Sequence, residues 1–311
     1  MIRLGTRGSP LALAQAAIVA EALRRRGVAV DTIPIRTEGD RRLDARLAAL
    51  GGKGLFVREL EEALLDDAID AAVHSLKDLP AELPAGLCLA AYPEREDPRD
   101  VLVTPGGLTL DELPEGAVVG TGSPRRRALL LSLRPDLAVE PIRGNVDTRL
   151  RKLDGGSWDG LILAAAGLSR LGLTPAQARW LEPEVFVPAV GQGVLAIEAR
   201  RRDDRVLGLL APLDHAPTRI CAVAERAYLV RLGASCYTPT AAHATLGGAS
   251  LRLRAMVASE DGKRILRGES TGAPDDAEAV GRALAELLLG QGAASLVPLA
   301  PAGRGPSRGE R

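Results

Sequence analysis

Aromatic residues are scarce, at 2% of the 311-residue chain. Base stacking on aromatic platforms is therefore excluded as the main basis of activity. Lys and Arg together number 40 and so do Asp and Glu, so the formal net charge is +0. A neutral chain lacks the bulk attraction behind non-specific nucleic-acid or anionic-membrane binding. Only three cysteines occur, Cys88, Cys221 and Cys236, widely spaced and without a CxxC pair. That speaks against a disulfide framework, a zinc ribbon or any other metal site. No apolar run reaches about 18 residues, so no membrane span is expected. The N-terminus enters directly into the short apolar segment Ile2 to Thr6, without the basic and apolar regions of a secretory leader. A cytoplasmic protein without nucleic-acid or membrane partners is expected. Lysine is rare as well: Lys53, Lys77, Lys152 and Lys263 are the only ones, and every other basic residue is arginine. Most of that bias reads as composition. Arginines clustered outside amphipathic faces are different, because a guanidinium offers a planar fork of donors suited to carboxylates and phosphates.

The chain that remains is 46% hydrophobic and 26% charged, ordinary for a globular protein of two or three domains. Strand and helix patterns alternate over the first 90 or so residues, which predicts βαβ units and a parallel sheet. Ser9-Pro10 reads as a helix cap followed by proline at the first helical position, with Leu11, Ala14, Ile18, Ala22 and Leu23 on one face. A second αβ unit begins near Asp100 and appears inserted into the first, because an apolar strand follows again from Val194. The expected class is α/β: two lobes with a hinge and cleft, plus a small C-terminal α+β domain. Residues 1–95 and 194–213 are assigned to a discontinuous first lobe, 99–190 to the second, 217–299 to the C-terminal domain and 300–311 to a disordered tail.

Several segments place polar groups just after predicted strands. Thr6-Arg7-Gly8-Ser9-Pro10 leaves free N–H groups at a helix start, which attract an anion. Gly120-Thr121-Gly122-Ser123-Pro124 repeats the device and is followed by Arg125, Arg126 and Arg127. Three cations in a first helical turn oppose the helix dipole by about 0.3–1 kcal/mol each when exposed, which favours a bound anion over a solvated charge run. His74-Ser75-Leu76-Lys77-Asp78 sets a carboxylate beside an ammonium at a strand end, a plausible acid–base pair. Arg143 and Arg149 flank another helix start, and Cys236 sits in a turn, where nearby cations would make its thiol nucleophilic. The composite is an arginine-rich cleft with one acid and one reactive thiol, suited to a polycarboxylate or phosphorylated ligand.

Eight segments, in order, resemble the hydroxymethylbilane synthase (porphobilinogen deaminase) family: GTRGSPLALAQA (5–16), GGKGLFVRELE (51–61), DAAVHSLKDLP (70–80), REDPRD (95–100), GTGSPRR (120–126), RGNVDTRL (143–150), AAAGLSRLG (164–172) and PAVGQG (188–193). The cysteine turn follows them. The resemblance implies two lobes like those of periplasmic-type binding proteins, a third domain and a monomer. It implies a transferase that joins four porphobilinogen molecules head to tail, releases ammonia at each addition and frees hydroxymethylbilane by hydrolysis. It further implies a dipyrromethane cofactor held by a thioether to Cys236. By the same resemblance Asp78 handles the pyrrole N–H groups and stabilises the cationic azafulvene. Lys77, Asp78, Thr121, Ser123, Arg125, Arg126 and Arg149 would hold the cofactor rings. Arg7, Ser9, Gln15, Arg143, Arg149 and Arg170 would hold incoming substrate, with Lys53 and Arg58 on or beside a loop over the cleft. A full-length bound chain carries about twelve carboxylates, which matches the arginine content. Arg58 stands where many members have lysine, keeping the charge. The alternative is a non-catalytic two-lobed binding protein for a polycarboxylate ligand, which needs neither the turn cysteine nor the lone acid.

Overall fold

The computed structural model describes residues 1–37, 57–173, 175–235 and 238–297. In β1 (Ile2–Arg7), Ile2 and Leu4 are fully buried. Ser9 then caps α1 (Pro10–Arg24), its Oγ accepting from the Ala12 amide at 3.3 Å, and Pro10 occupies the first turn, where a missing N–H loses no bond. β2 (Val30–Ile35), α2 (Arg58–Leu65), β3 (Ala71–Ser75) and β4 (Leu87–Ala91) follow. A second run comprises β5 (Asp100–Val103), β6 (Val118–Gly120), α3 (Pro124–Leu133), β7 (Ala138–Glu140), α4 (Val146–Asp154), β8 (Gly160–Ala164), α5 (Ala165–Arg170) and β9 (Ala178–Leu181). Then come β10 (Leu195–Arg200) and α6 (Asp204–Leu210).

Two five-stranded sheets result, ordered β2-β1-β3-β10-β4 and β7-β6-β8-β5-β9. They share one plan: three parallel strands, one antiparallel strand, then an edge strand. The sheets are thus mixed, where the alternating pattern predicts parallel ones. In each, the antiparallel strand is the one delivered by a crossing from the other sheet. Leu195 pairs with Ser75 and Asp100 with Ala164, so both crossing strands start beside the C-terminal ends of their parallel neighbours. A strand entering at that edge has to run back against them. Both crossings therefore lie where open α/β sheets bind ligands.

The remainder forms α7 (Ala216–Leu232), an antiparallel sheet of β11 (Thr240–Gly247), β12 (Ser250–Ala258) and β13 (Ile265–Gly272), and α8 (Ala277–Gly290). Tyr228, Leu253, Leu284 and Leu288 fill the core between helices and sheet. Met256, Ala241 and Ala258 join Val119, Leu129 and Phe186 of the second lobe in another cluster, so this unit is bonded to that lobe by apolar packing. Glu225 of α7 is fully buried and accepts from Arg95 Nη1 at 2.6 Å, the Gly191 amide at 2.6 Å and the Ala244 amide at 2.8 Å. One carboxylate thus ties both crossings to β11.

One helix face departs from expectation, and a second helix buries polar groups. On α1 the buried stripe is Ala12, Ala16, Val19, Ala20 and Leu23, while Ile18 is 45% exposed. Small alanines let the helix lie close on the sheet, so bulk is a poor guide to its inner face. On α7 the polar Thr218 and Glu225 are buried. No helix among the described residues is long and apolar enough to cross a membrane.

Gly281 marks the closest helix contact. A Cβ there would collide with the Ala224 carbonyl and come within 2.8 Å of Ala227 Cβ. Gly281→Ala is expected to destabilise the fold by about 1–3 kcal/mol, because backbone atoms cannot rotate aside. Urea unfolding measures this; a midpoint equal to that of the parent chain would refute close α7–α8 packing.

Candidate active site

β3 ends in a short 3-10 turn, Leu76–Asp78. Its entry is fixed by the Leu76 amide donating to the Val194 carbonyl at 3.0 Å. Gly191 (φ +71°) lies against this turn; a Cβ there would sit 2.7 Å from Leu76 Cγ. Gly193 (φ +84°) fills the same need at the Glu96 carbonyl, whose residue donates its amide back to Gly193 at 3.1 Å. Only glycine permits both the left-handed backbone and this approach of the two crossings, which accounts for the segment 188–193.

Lys77 is half-buried, with Nζ 3.4 Å from Gln192 Oε1. Burial, then the Arg126 charge, push its ammonium down to about 8 against the pull of Asp78 and Asp100. Asp78 is exposed and makes no hydrogen bond or ion pair among the described residues. Gln15 Nε2 donates to Ser75 Oγ at 2.8 Å, joining α1 to the end of β3. His74 points into the lobe instead, with Nε2 3.0 Å from Glu198 Oε2, and both are buried. Glu61 of α2 adjoins that pair, where burial and the Glu198 charge push its carboxyl up to about 7.

Across the junction, Ser123 caps α3 by accepting from the Arg126 amide at 3.4 Å, and the buried Thr121 accepts from the Ser123 amide at 3.2 Å. The arginines that follow do meet an anion, and it belongs to the chain. Arg125 Nη1 lies 2.7 Å from Asp100 Oδ2, and Arg126 Nη2 and Nε lie 2.7 and 2.9 Å from Oδ1. Asp100 is completely buried. Burial pushes its carboxyl up, but the two guanidiniums outweigh this and hold it at about 2. Gln192 Nε2 adds a bond to Asp100 Oδ1 at 3.0 Å and to the Pro98 carbonyl at 2.7 Å. Gln192 therefore links Lys77 of the first lobe to the ion cluster of the second.

Two further cations converge without carboxylate hydrogen bonds among the described residues. Arg149 Nε donates to the Gly144 carbonyl at 2.8 Å, and burial with the Arg126 charge pushes it down to about 10. Arg170 Nη2 donates to the Gly193 carbonyl at 2.6 Å; burial pushes it to about 10 despite Glu96. Arg7 ends β1 at this sheet edge and Ser9 caps α1 beside it. Arg143 precedes α4 and is half-buried. Arg58 is exposed, with Nε 3.7 Å from Glu62 Oε1. Lys53 and Cys236 lie outside the described residues.

The junction thus collects Lys77, Asp78, Arg125, Arg126, Arg149 and Arg170. Asp100, Gln192, Arg95 and Glu225 escape a site reading of the sequence, although segments 95–100 and 188–193 contain three of them. A carboxylate heading the apolar strand Asp100-Val-Leu-Val was the available signal, since such a group needs a buried counter-charge. No group of three or more His, Cys, Asp or Glu among the described residues could hold a metal ion.

Three half-buried cations, Lys77, Arg149 and Arg170, thus stand at the junction of an α/β protein of two lobes. The family profile "Porphobilinogen deaminase, dipyromethane cofactor binding domain" matches residues 2–208, and "Porphobilinogen deaminase, C-terminal domain" matches 219–290. A porphobilinogen deaminase of Syntrophotalea carbinolica is 52% identical over 94% of this chain and 93% of its own. One from a Roseiflexus species is 52% identical over 94% of this chain and 97% of its own. The chain belongs to the porphobilinogen deaminase family. Among solved structures, a periplasmic substrate-binding protein of an ABC transporter from Coxiella burnetii is similar at a TM-score of 0.42 and 17% identity, over 73% of this chain and 97% of the other.

Asp100→Asn would leave two buried guanidiniums without their counter-charge, and a loss of about 3–5 kcal/mol at neutral pH is expected. Because the Asp100 carboxyl is held near 2 rather than at its ordinary 3.8, the native state binds fewer protons than the unfolded chain between those values. Stability is therefore present above pH 3.8 and lost as pH falls through about 2. Urea titrations at several acid pH values should show this limb in the parent chain and not in Asp100→Asn; superimposable profiles would contradict the assignment.

Proposed function

We propose that the chain is a hydroxymethylbilane synthase acting at the lobe junction, with Asp78 as its acid–base group and the surrounding cations as carboxylate ligands. The observation that carries this reading is the set Lys77, Arg149 and Arg170: partly buried, pushed to lower pKa values, and hydrogen-bonded only to a neutral amide or backbone carbonyls. Such groups favour a multiply charged carboxylate ligand, because it supplies the counter-charges that burial makes costly to lack. The donor set fits the dipyrromethane cofactor of the family domain, whose rings carry acetate and propionate groups. When bound, that cofactor supplies the pyrrole position to which the first substrate ring is joined.

The residues divide the work by position. Lys77, Thr121, Ser123 and Arg149 hold the cofactor carboxylates with Arg125 and Arg126, whose cluster with Asp100 keeps one net positive charge. Arg7, Ser9, Gln15, Arg143 and Arg170 orient incoming porphobilinogen, and Lys53 and Arg58 cover the cleft. Asp78, which forms no hydrogen bond or ion pair among the described residues, is available to accept pyrrole N–H bonds and to stabilise the positive charge that develops as the amine leaves. Cys236 anchors the cofactor by a thioether. The first lobe comprises residues 1–95 and 194–213, the second 99–190 and the third domain 217–299, and the chain works as a cytoplasmic monomer.

Incubation with porphobilinogen should yield a linear tetrapyrrole that oxidises to coloured porphyrin. Asp78→Asn is expected to lower kcat by about 10²–10⁴-fold with thermal stability unchanged. Absence of product from the parent chain carrying its cofactor, or full turnover by Asp78→Asn, would refute the reading.

A further inference from the structure

We infer that Arg226 of α7 is a positioning residue for Asp78: it clamps the backbone just beyond the acid from the third domain. Its Nη2 donates to the Pro80 carbonyl at 3.0 Å and to the Ala81 carbonyl at 2.8 Å. Arg226 is half-buried and forms no ion pair among the described residues. Burial depresses its pKa, with Tyr92 and Glu198 acting the other way. Its Nη2 spans two successive backbone carbonyls, which ties this guanidinium to the course of the chain at Pro80 and Ala81.

The turn that bears Asp78 explains why such a clamp matters. Among the described residues Asp78 has no hydrogen bond to fix its side chain, so its place is set by the backbone on either side. Upstream, the Leu76 amide is bonded to the Val194 carbonyl. Downstream, Leu79 packs with Ala222 of α7 in one apolar cluster, and Ala81 packs against the third domain's core. Ala222 and Arg226 are four residues apart and share one helix face. Apolar contact at Leu79 sets depth, while the forked donor sets the direction of the chain at Pro80 and Ala81. A misplacement of about 1 Å at a reacting group can lower a rate by 10²-fold, so this contact governs turnover without touching substrate.

The inference rests on the role proposed above for Asp78, and its test separates the two. Arg226→Met keeps the stem's packing and removes the donors; Arg226→Lys keeps charge and a donor. Steady-state kinetics with porphobilinogen should show kcat for Arg226→Met reduced about 10-fold or more with KM within about two-fold, and most of it restored in Arg226→Lys. In an Asp78→Asn background, Arg226→Met should cause no further loss, because it acts through the carboxylate. Hydrogen exchange of the Leu79, Ala81 and Glu82 amides should quicken in Arg226→Met, a readout independent of activity. Unchanged exchange there overturns the clamp whatever the activity. A kcat loss that adds to that of Asp78→Asn, or a rise in KM with constant kcat, overturns the positioning role. An inactive parent chain with quickened exchange in the variant would refute the proposed function and leave the clamp standing. Should Arg226→Met fail to fold, Arg226→Lys with parental kcat and parental exchange supports the role, and wild-type kcat with quickened exchange overturns it.

Discussion

A single carboxylate buried at the head of β5 organises the junction between the lobes. Asp100 brings two guanidiniums and a glutamine amide to one point, and none of these groups could be buried there alone. Ion pairs in a protein interior gain little net stability over apolar packing, because desolvation offsets attraction. What they do supply is direction. Arg125 and Arg126 leave α3 facing inward, so the capped end of that helix, Ser123 and Thr121 are held against the crossing strands. Gln192 carries the connection onward to Lys77, so that one side chain joins the end of β3 to the ion cluster.

The nearby cations are left short of counter-charges. Lys77, Arg149 and Arg170 face amide and carbonyl oxygens, which solvate but do not neutralise them. Burial is the main cause of their depressed pKa values, and a polycarboxylate ligand would offset it. Asp78 lies on an exposed turn next to Lys77 and forms no hydrogen bond or ion pair among the described residues. Glu225 plays for the third domain what Asp100 plays for the second lobe, since it bonds Arg95, Gly191 and Ala244 at once.

Local features were legible in the sequence, and long-range ones were not. Ser9-Pro10 and Ser123-Pro124 announce their helix starts because a cap needs only the residues beside it. The arginines after Ser123 point to a bound anion, whereas Arg125 and Arg126 pair with Asp100 of the chain itself; a carboxylate 25 positions away cannot be distinguished from a ligand without the fold. The alternation over the first 90 or so residues predicts strands of one direction, as β1 to β4 have, but it carries no sign of the antiparallel β10 between β3 and β4, which depends on where the chain crosses. Helical spacing puts Ile18 on one face with Leu11, Ala14, Ala22 and Leu23, yet it is exposed, because the alanine stripe of α1 allows the closer approach to the sheet. Arg226 carried no motif at all, because its partners are backbone carbonyls that no residue type advertises.

The central claim is that the cations of this junction surround an oligopyrrole anchored to the chain itself. Proteolytic digestion of the active protein followed by peptide mass mapping tests it most directly. The account predicts that the peptide containing Cys236 is heavier by two linked pyrrole units, through a bond that survives thiol reductants. An unmodified Cys236 peptide from a fully active preparation, or the added mass on a different peptide, would contradict it.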